Sequence, residues 1–169
     1  MKRPAQNEYA AFYHTYISTV PDGDICETLA NQLKATQQLL SNLGESKADS
    51  RYAPQKWSLK EVLAHVVDTE RVFAFRALCF ARNDAGPFPS MEQDDFVRFG
   101  NFSDRTLQSF LDEFTHLRRS NILLFESFDD TVSRRVGTAS GTKMSVRAIA
   151  YIIAGHERHH MKIIREKYL

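Results

Sequence analysis

Ile149-Ala150-Tyr151-Ile152-Ile153-Ala154-Gly155-His156-Glu157-Arg158-His159-His160 lies in the last helical stretch of the chain and decides how the rest is arranged. Ser145 supplies an N-cap for it. Ile149, Ile152, Ile153, Ile163 and Ile164 recur at three- and four-residue steps, which defines one buried face. With the centre of that isoleucine face as zero, His156 and His160 fall within roughly 30° of it at about 100° per residue, and His159 about a quarter-turn away. Two imidazoles therefore stand where a core helix ordinarily carries leucine, one turn apart and roughly 5–6 Å between Cβ atoms. Gly155 beside them is less favourable in a helix than alanine by about 1 kcal/mol, and its missing side chain leaves space for a neighbouring helix or a ligand. Lys162, Arg165 and Lys167 in the final turns complement the helix dipole.

Three more amphipathic helices are predicted upstream. Ser58-Leu59-Lys60-Glu61 is a capping box, in which hydroxyl and carboxylate satisfy two orphan amide donors. The helix it opens runs to about Ala81, with an apolar stripe through Val62, Val66, Val72, Phe73, Ala77 and Phe80 that also contains His65, Thr69 and Arg76. An earlier helix spans about Asp24 to Leu43, capped by Asp22 or Asp24 and stopped by Gly44. A third starts on Ser103 and runs to about Ser127, with Leu107, Phe110, Leu111, Phe114, Leu117, Leu124 and Phe125 inward and His116 on the wet face. Residues 1–23 form an ordered lead-in rich in aromatics, and His14 there has no partner at ligand spacing. Residues 45–57 are a polar loop ending in Trp57. Residues 82–103, with the acidic patch Glu92-Gln93-Asp94-Asp95, are expected to cross one end of the fold. Residues 129–143 are expected to be a flexible connection, with no strand anywhere in the chain. The fold class is all-α: a four-helix bundle, with connections unequal enough for a non-meander topology.

Composition is consistent with one globular domain over residues 1–169, large enough for a core without disulfide staples. The net charge of +1 with interspersed signs argues against nucleic-acid or acidic-membrane binding. Cys26 and Cys79 form no C-x-x-C pair, which favours reduced thiols. The basic start lacks the apolar run of a signal peptide, and no segment is apolar enough to span a bilayer. The expected location is cytoplasmic.

His65 is the one other histidine on an apolar helix face, and bundle cores build metal sites from facing helices. A single histidine on such a face is ordinarily a core residue satisfied by one hydrogen bond. Three buried together without an ion would need partners for six ring nitrogens. Three neutral imidazoles with an open position are the protein half of a hydrolytic or Lewis-acid centre. Around them, Asp68, Glu70 and Glu157 are placed to orient the rings or to stand as solvated helix charges. His159 is a surface or orienting residue. Arg76, in the apolar stripe, needs either a protein carboxylate, for which the 92–95 patch is the expected source, or a substrate anion. Trp57 and Tyr151 read as packing residues.

Trp57-Ser58-Leu59-Lys60-Glu61-Val62-Leu63-Ala64-His65, the following Asp68-Thr69-Glu70-Arg71, and Ala154-Gly155-His156-Glu157-Arg158-His159-His160 resemble the DinB/YfiT-like superfamily. The resemblance runs from about Asp24 to the C-terminus. It implies an up-down-down-up four-helix bundle and a divalent metal, commonly zinc or nickel, on His65, His156 and His160. It also implies homodimers in many members. It points to a small-molecule substrate, handled by hydrolysis or by S-transfer with a low-molecular-weight thiol. A non-catalytic, stress-associated metal-binding or interaction protein is the alternative, and it predicts a closed site with no cavity at the open coordination position.

Overall fold

Each long helix of this chain starts on a side chain that stands in for a missing backbone acceptor. In the structure, a computed structural model describing residues 1–169, the elements in chain order begin with α1 (His14–Ile17), α2 (Ile25–Leu40), α3 (Glu45–Ala48) and α4 (Leu59–Ala81). There follow α5 (Gln93–Phe99), α6 (Leu107–Glu126), α7 (Asp130–Ser133), the strands β1 (Val136–Ala139) and β2 (Thr142–Ser145), and α8 (Val146–Ile163). A π-helical turn, Ile164–Tyr168, ends the chain. Asp24 caps α2 by accepting from the amides of Cys26 and Glu27. Ser58 and Glu61 form the complete capping box of α4. Ser145 caps α8 through the amide of Ala148. No helix is long and apolar enough to cross a membrane.

Four boundaries differ from expectation. The cap of α6 is Thr106 rather than Ser103, which lies in a separate 3-10 turn, Phe102–Asp104. Gly44 does not stop α2, which ends at Leu40; it precedes α3, a short helix in what was expected to be loop. The 82–103 connection contains α5. Residues 136–145 are a hairpin, not a flexible link: Val136 pairs with Ser145 and Ala139 with Thr142, in antiparallel register. Ser140 and Gly141 both take positive φ, the geometry of a two-residue turn that matches strand twist. Ala139 and Met144 are buried in the same apolar cluster as Phe80. Strands of four residues are too short for alternation to show in sequence.

Two apolar clusters fix the helix directions. One joins the start of α2 (Ile25, Leu29), the ends of α4 and α6 (Phe80, Phe125) and the start of α8 (Ile149). The other joins the end of α2 (Leu40), the starts of α4 and α6 (Leu63, Phe110) and the end of α8 (Met161). Hence α2 and α8 run one way, α4 and α6 the other: up-down-down-up. Parallel α4 and α6 explain the long connection between them. It has to travel the length of the bundle, and it does so along α4 rather than across one end.

The lead-in packs α1 against α8. A methyl group at Gly155 would collide with the backbone carbonyl of Tyr16, so the glycine is what lets the two segments touch. Gly155→Ala should therefore lower stability by about 1–3 kcal/mol through overpacking, despite the better helix propensity of alanine. Faster proteolysis within residues 1–20 would accompany it; a variant as stable and as resistant as the wild type would sink this account.

Candidate metal centre

α4 and α8 are antiparallel neighbours, and their apolar faces bring His65, His156 and His160 together. His156 Nε2 stands 3.1 Å from His65 Nε2 and 3.0 Å from His160 Nε2. One donor atom from each of the three rings lies within 4.8 Å of the others. A ring nitrogen holds one proton or one lone pair, so a single Nε2 cannot satisfy two such contacts as hydrogen bonds. A cation can satisfy all three. Nitrogens bound to a divalent ion at about 2.1 Å are roughly 3.0 Å apart at a right angle and roughly 3.4 Å apart at the tetrahedral angle. The two spacings around His156 match this range, and the third pair lies within 4.8 Å, so the chemistry of the donor set fits such an ion.

Burial keeps the rings neutral, the form that binds metal. It lowers the pKa of His65 to about 4, against a small opposing influence from Asp94, and that of His160 to about 3, with the neighbouring imidazoles adding to it. His156 is likewise held well below its ordinary value, by burial first and then by His160, His65 and His159.

The other candidates divide. Thr69 Oγ1 lies 3.4 Å from His65 Nδ1, the far side of the ring, and Trp57 packs on His65 with ring centroids 5.0 Å apart. His159 is exposed, 5.5 Å from the Tyr16 ring, and its nitrogens do not join the cluster. Asp68 is half-buried beside Arg71, and burial raises its pKa. Glu70 and Glu157 are buried, but their hydrogen bonds go to Arg118 and not to the histidines. Arg118 Nε and Nη2 donate to Glu70, and Nη1 donates to Glu157 at 2.7 Å. Asn121 completes Glu70, while Gln32 and Thr36 complete Glu157. Burial opposes the charge on Arg118, but the two carboxylates more than offset this and hold its pKa above the ordinary value. Arg76 makes no pair with the 92–95 patch, contrary to expectation; it donates to the Pro89 carbonyl and the Ser140 hydroxyl.

Two cavities meet the cluster from different sides. One of about 190 Å³ is walled by His65, His156, Thr69, Arg76, Tyr16 and Phe73, among others. The other, about 250 Å³, is bounded by His160, Trp57, Tyr168 and Asp94. A larger cavity of about 460 Å³ lies between the lead-in, α2 and α8 and touches none of the three histidines, so size alone does not mark the chemistry. Asp94 is the only carboxylate lining either of the two cavities at the cluster. Tyr16 and Asp94 escaped the sequence reading. Tyr16 was visible only as one aromatic of the lead-in, and Asp94 only as one acid of a patch.

The fold has a known counterpart. The structure is similar to that of YfiT from Bacillus subtilis, described as a probable metal-dependent hydrolase with an unusual four-helix bundle topology. The TM-score is 0.72 at 13% sequence identity, covering 98% of this chain and 91% of that one. No curated protein matches the sequence significantly. The family model of the DinB superfamily matches residues 28–164, a span that contains all four long helices but for the first turn of α2, and all three clustered histidines. The chain belongs to the DinB superfamily.

Proposed function

We propose that this chain is a metal-dependent enzyme acting on a small molecule, with His65, His156 and His160 as the ligands of one divalent ion, zinc or nickel. The observation that carries the proposal is the convergence of three Nε2 atoms, two of them from buried rings, at a point met by two cavities. A metal held only for structure or for recruiting a partner calls for a closed site, and the cavities count against that alternative.

When bound, the ion supplies Lewis acidity and favours the deprotonated, nucleophilic form of a water or thiol near neutral pH. The protein does the rest. Thr69 and Trp57 hold the His65 ring from its far side and its face, and Tyr16 packs edge-on against His156 at 5.6 Å between centroids. Aromatic walls limit water around the reacting group. Asp94, the carboxylate in the cavity wall beside His160, is placed to accept the proton of the nucleophile.

Two reaction types share this apparatus: hydrolysis, and S-transfer from a low-molecular-weight thiol. Membership of the superfamily supports the second, together with a homodimer; the reduced-thiol composition supports a cytoplasmic setting. Turnover of a panel of activated esters and electrophilic chloroarenes by zinc- and nickel-loaded protein tests the proposal. Activity should vanish on chelation, and its dependence on added thiol separates S-transfer from hydrolysis. A metal-loaded protein inert with and without thiol would instead favour the non-catalytic role.

A further inference from the structure

Arg76 is a buried charged residue without a protein counter-ion. Only 4% of it is exposed, and no carboxylate lies within ion-pairing distance. Of the 92–95 acids, Asp95 pairs with Arg98 at 3.0 Å. Its two hydrogen bonds, to Pro89 O at 2.6 Å and Ser140 Oγ at 3.2 Å, both leave from Nη2. Nε and Nη1 donate to no protein atom, yet neither is closed off from solvent; the one sealed polar side-chain atom without a partner is Gln32 Oε1. The guanidinium lies over the Phe73 ring, 5.3 Å from its centroid, which orients it without neutralising it. It lines the same cavity as His65 and His156. A buried charge without a partner is costly to keep, and burial accordingly lowers the pKa of Arg76.

From this geometry we infer that Arg76 binds an oxyanion of the substrate, a carboxylate or phosphate, at the end of the cavity away from His65 and His156. The inference rests on the proposed function and specifies the substrate class for that site. His65, Thr69 and Arg76 share one face of α4, and the Cα atoms of His65 and Arg76 are about 16 Å apart along it. Arginine leans toward the N-terminus of its helix, which shortens the gap its guanidinium leaves. Val72, Phe73 and Met91 line the space between. The substrate is thus a small molecule whose anionic group is set apart from its reactive group by an apolar body. A cavity of about 190 Å³ admits an organic acid of modest size and excludes polymers.

Calorimetric titration tests this with 3-phenylpropionate, phenyl phosphate and the neutral 3-phenylpropanamide, on both chelator-treated and zinc-loaded protein. The wild type should bind an acid but not the amide in both states, and the two acids distinguish carboxylate from phosphate. Arg76→Met should weaken acid binding about tenfold to a hundredfold, the loss expected for a charge-assisted pair, with metal content unchanged. Arg76→Lys, which keeps the charge without the fork, should retain part of it and serves if the methionine variant does not fold. Equal affinity for acid and amide, unaltered acid binding by Arg76→Met, or binding confined to the zinc-loaded form would overturn the inference. A chain that takes up no metal but still selects the acid would sink the metal reading and leave this one standing.

Discussion

The His156→Ala chain is expected to carry no divalent ion after gel filtration, where the wild type equilibrated with zinc or nickel carries about one per chain. His156 is the central donor: its Nε2 lies 3.1 Å and 3.0 Å from those of His65 and His160. Without it the remaining pair comes from two different helices with no shared neighbour. The loss should show in stability too. An ion bound only by the folded state adds about 4.1 kcal/mol at a thousandfold excess over Kd, so added metal should raise the Tm of the wild type and leave the variant unmoved. Elemental analysis and paired melts read both effects, and a variant with normal metal content would remove the ligand assignment. The metal-free wild type should also be acid-sensitive. Folding lowers the pKa of His65 to about 4 and of His160 to about 3, below the ordinary 6.5. A lowered folded-state pKa gives a contribution that is complete above pH 6.5 and is lost as pH falls toward 4 and then 3.

The second large effect belongs to Arg118. Arg118→Met should cost about 3–5 kcal/mol, because it strands two buried carboxylates, Glu70 and Glu157, with no cation between them. That is a large share of the roughly 5–15 kcal/mol that holds an ordinary domain together. Lysine should not rescue it, since three separate donors of the fork are in use. Replacing all three members with apolar residues of similar volume should be far milder, and even stabilising by about 1–4 kcal/mol. Urea denaturation of the single and triple variants decides it: a single variant as stable as wild type would refute the account. The network ties α4, α6 and α8 together and also engages α2 through the Leu29 carbonyl. Glu157 adjoins His156 in sequence, so the pair with Arg118 fixes the rotation of α8 that turns His156 inward.

The inward phase of His156 and His160 was legible because an uninterrupted isoleucine face gives α8 an unambiguous zero. His65 was legible because the capping box of α4 sets where its phase begins. Arg118 was within reach: it lies in step with Phe114 and Phe125, a charged residue on an apolar stripe, but its partners sit on other helices and leave no local mark. The same holds for Tyr16, whose place beside His156 depends on a close approach at Gly155 that spacing cannot reveal. Ser103 and Thr106 are both N-cap residue types, and the sequence alone does not separate them; Ser103 lies in the 3-10 turn and Thr106 caps α6. The hairpin was hidden because strands of four residues carry no period, and Ser140-Gly141 alone marks its turn.

The parts of this site come from places far apart in the chain. Tyr16 walls it near one terminus, and His65 and His156 meet across a separation of 91 residues. Neither α4 nor α8 alone holds more than two of the three histidines, and contacts so distant in sequence cost loop entropy before they contribute anything. Under the proposed function, tight metal capture would therefore belong to the end of folding rather than its beginning. The rate at which a refolding chain acquires an ion would clock the docking of α8 on α4, and the ion would then act as a latch on a structure already assembled.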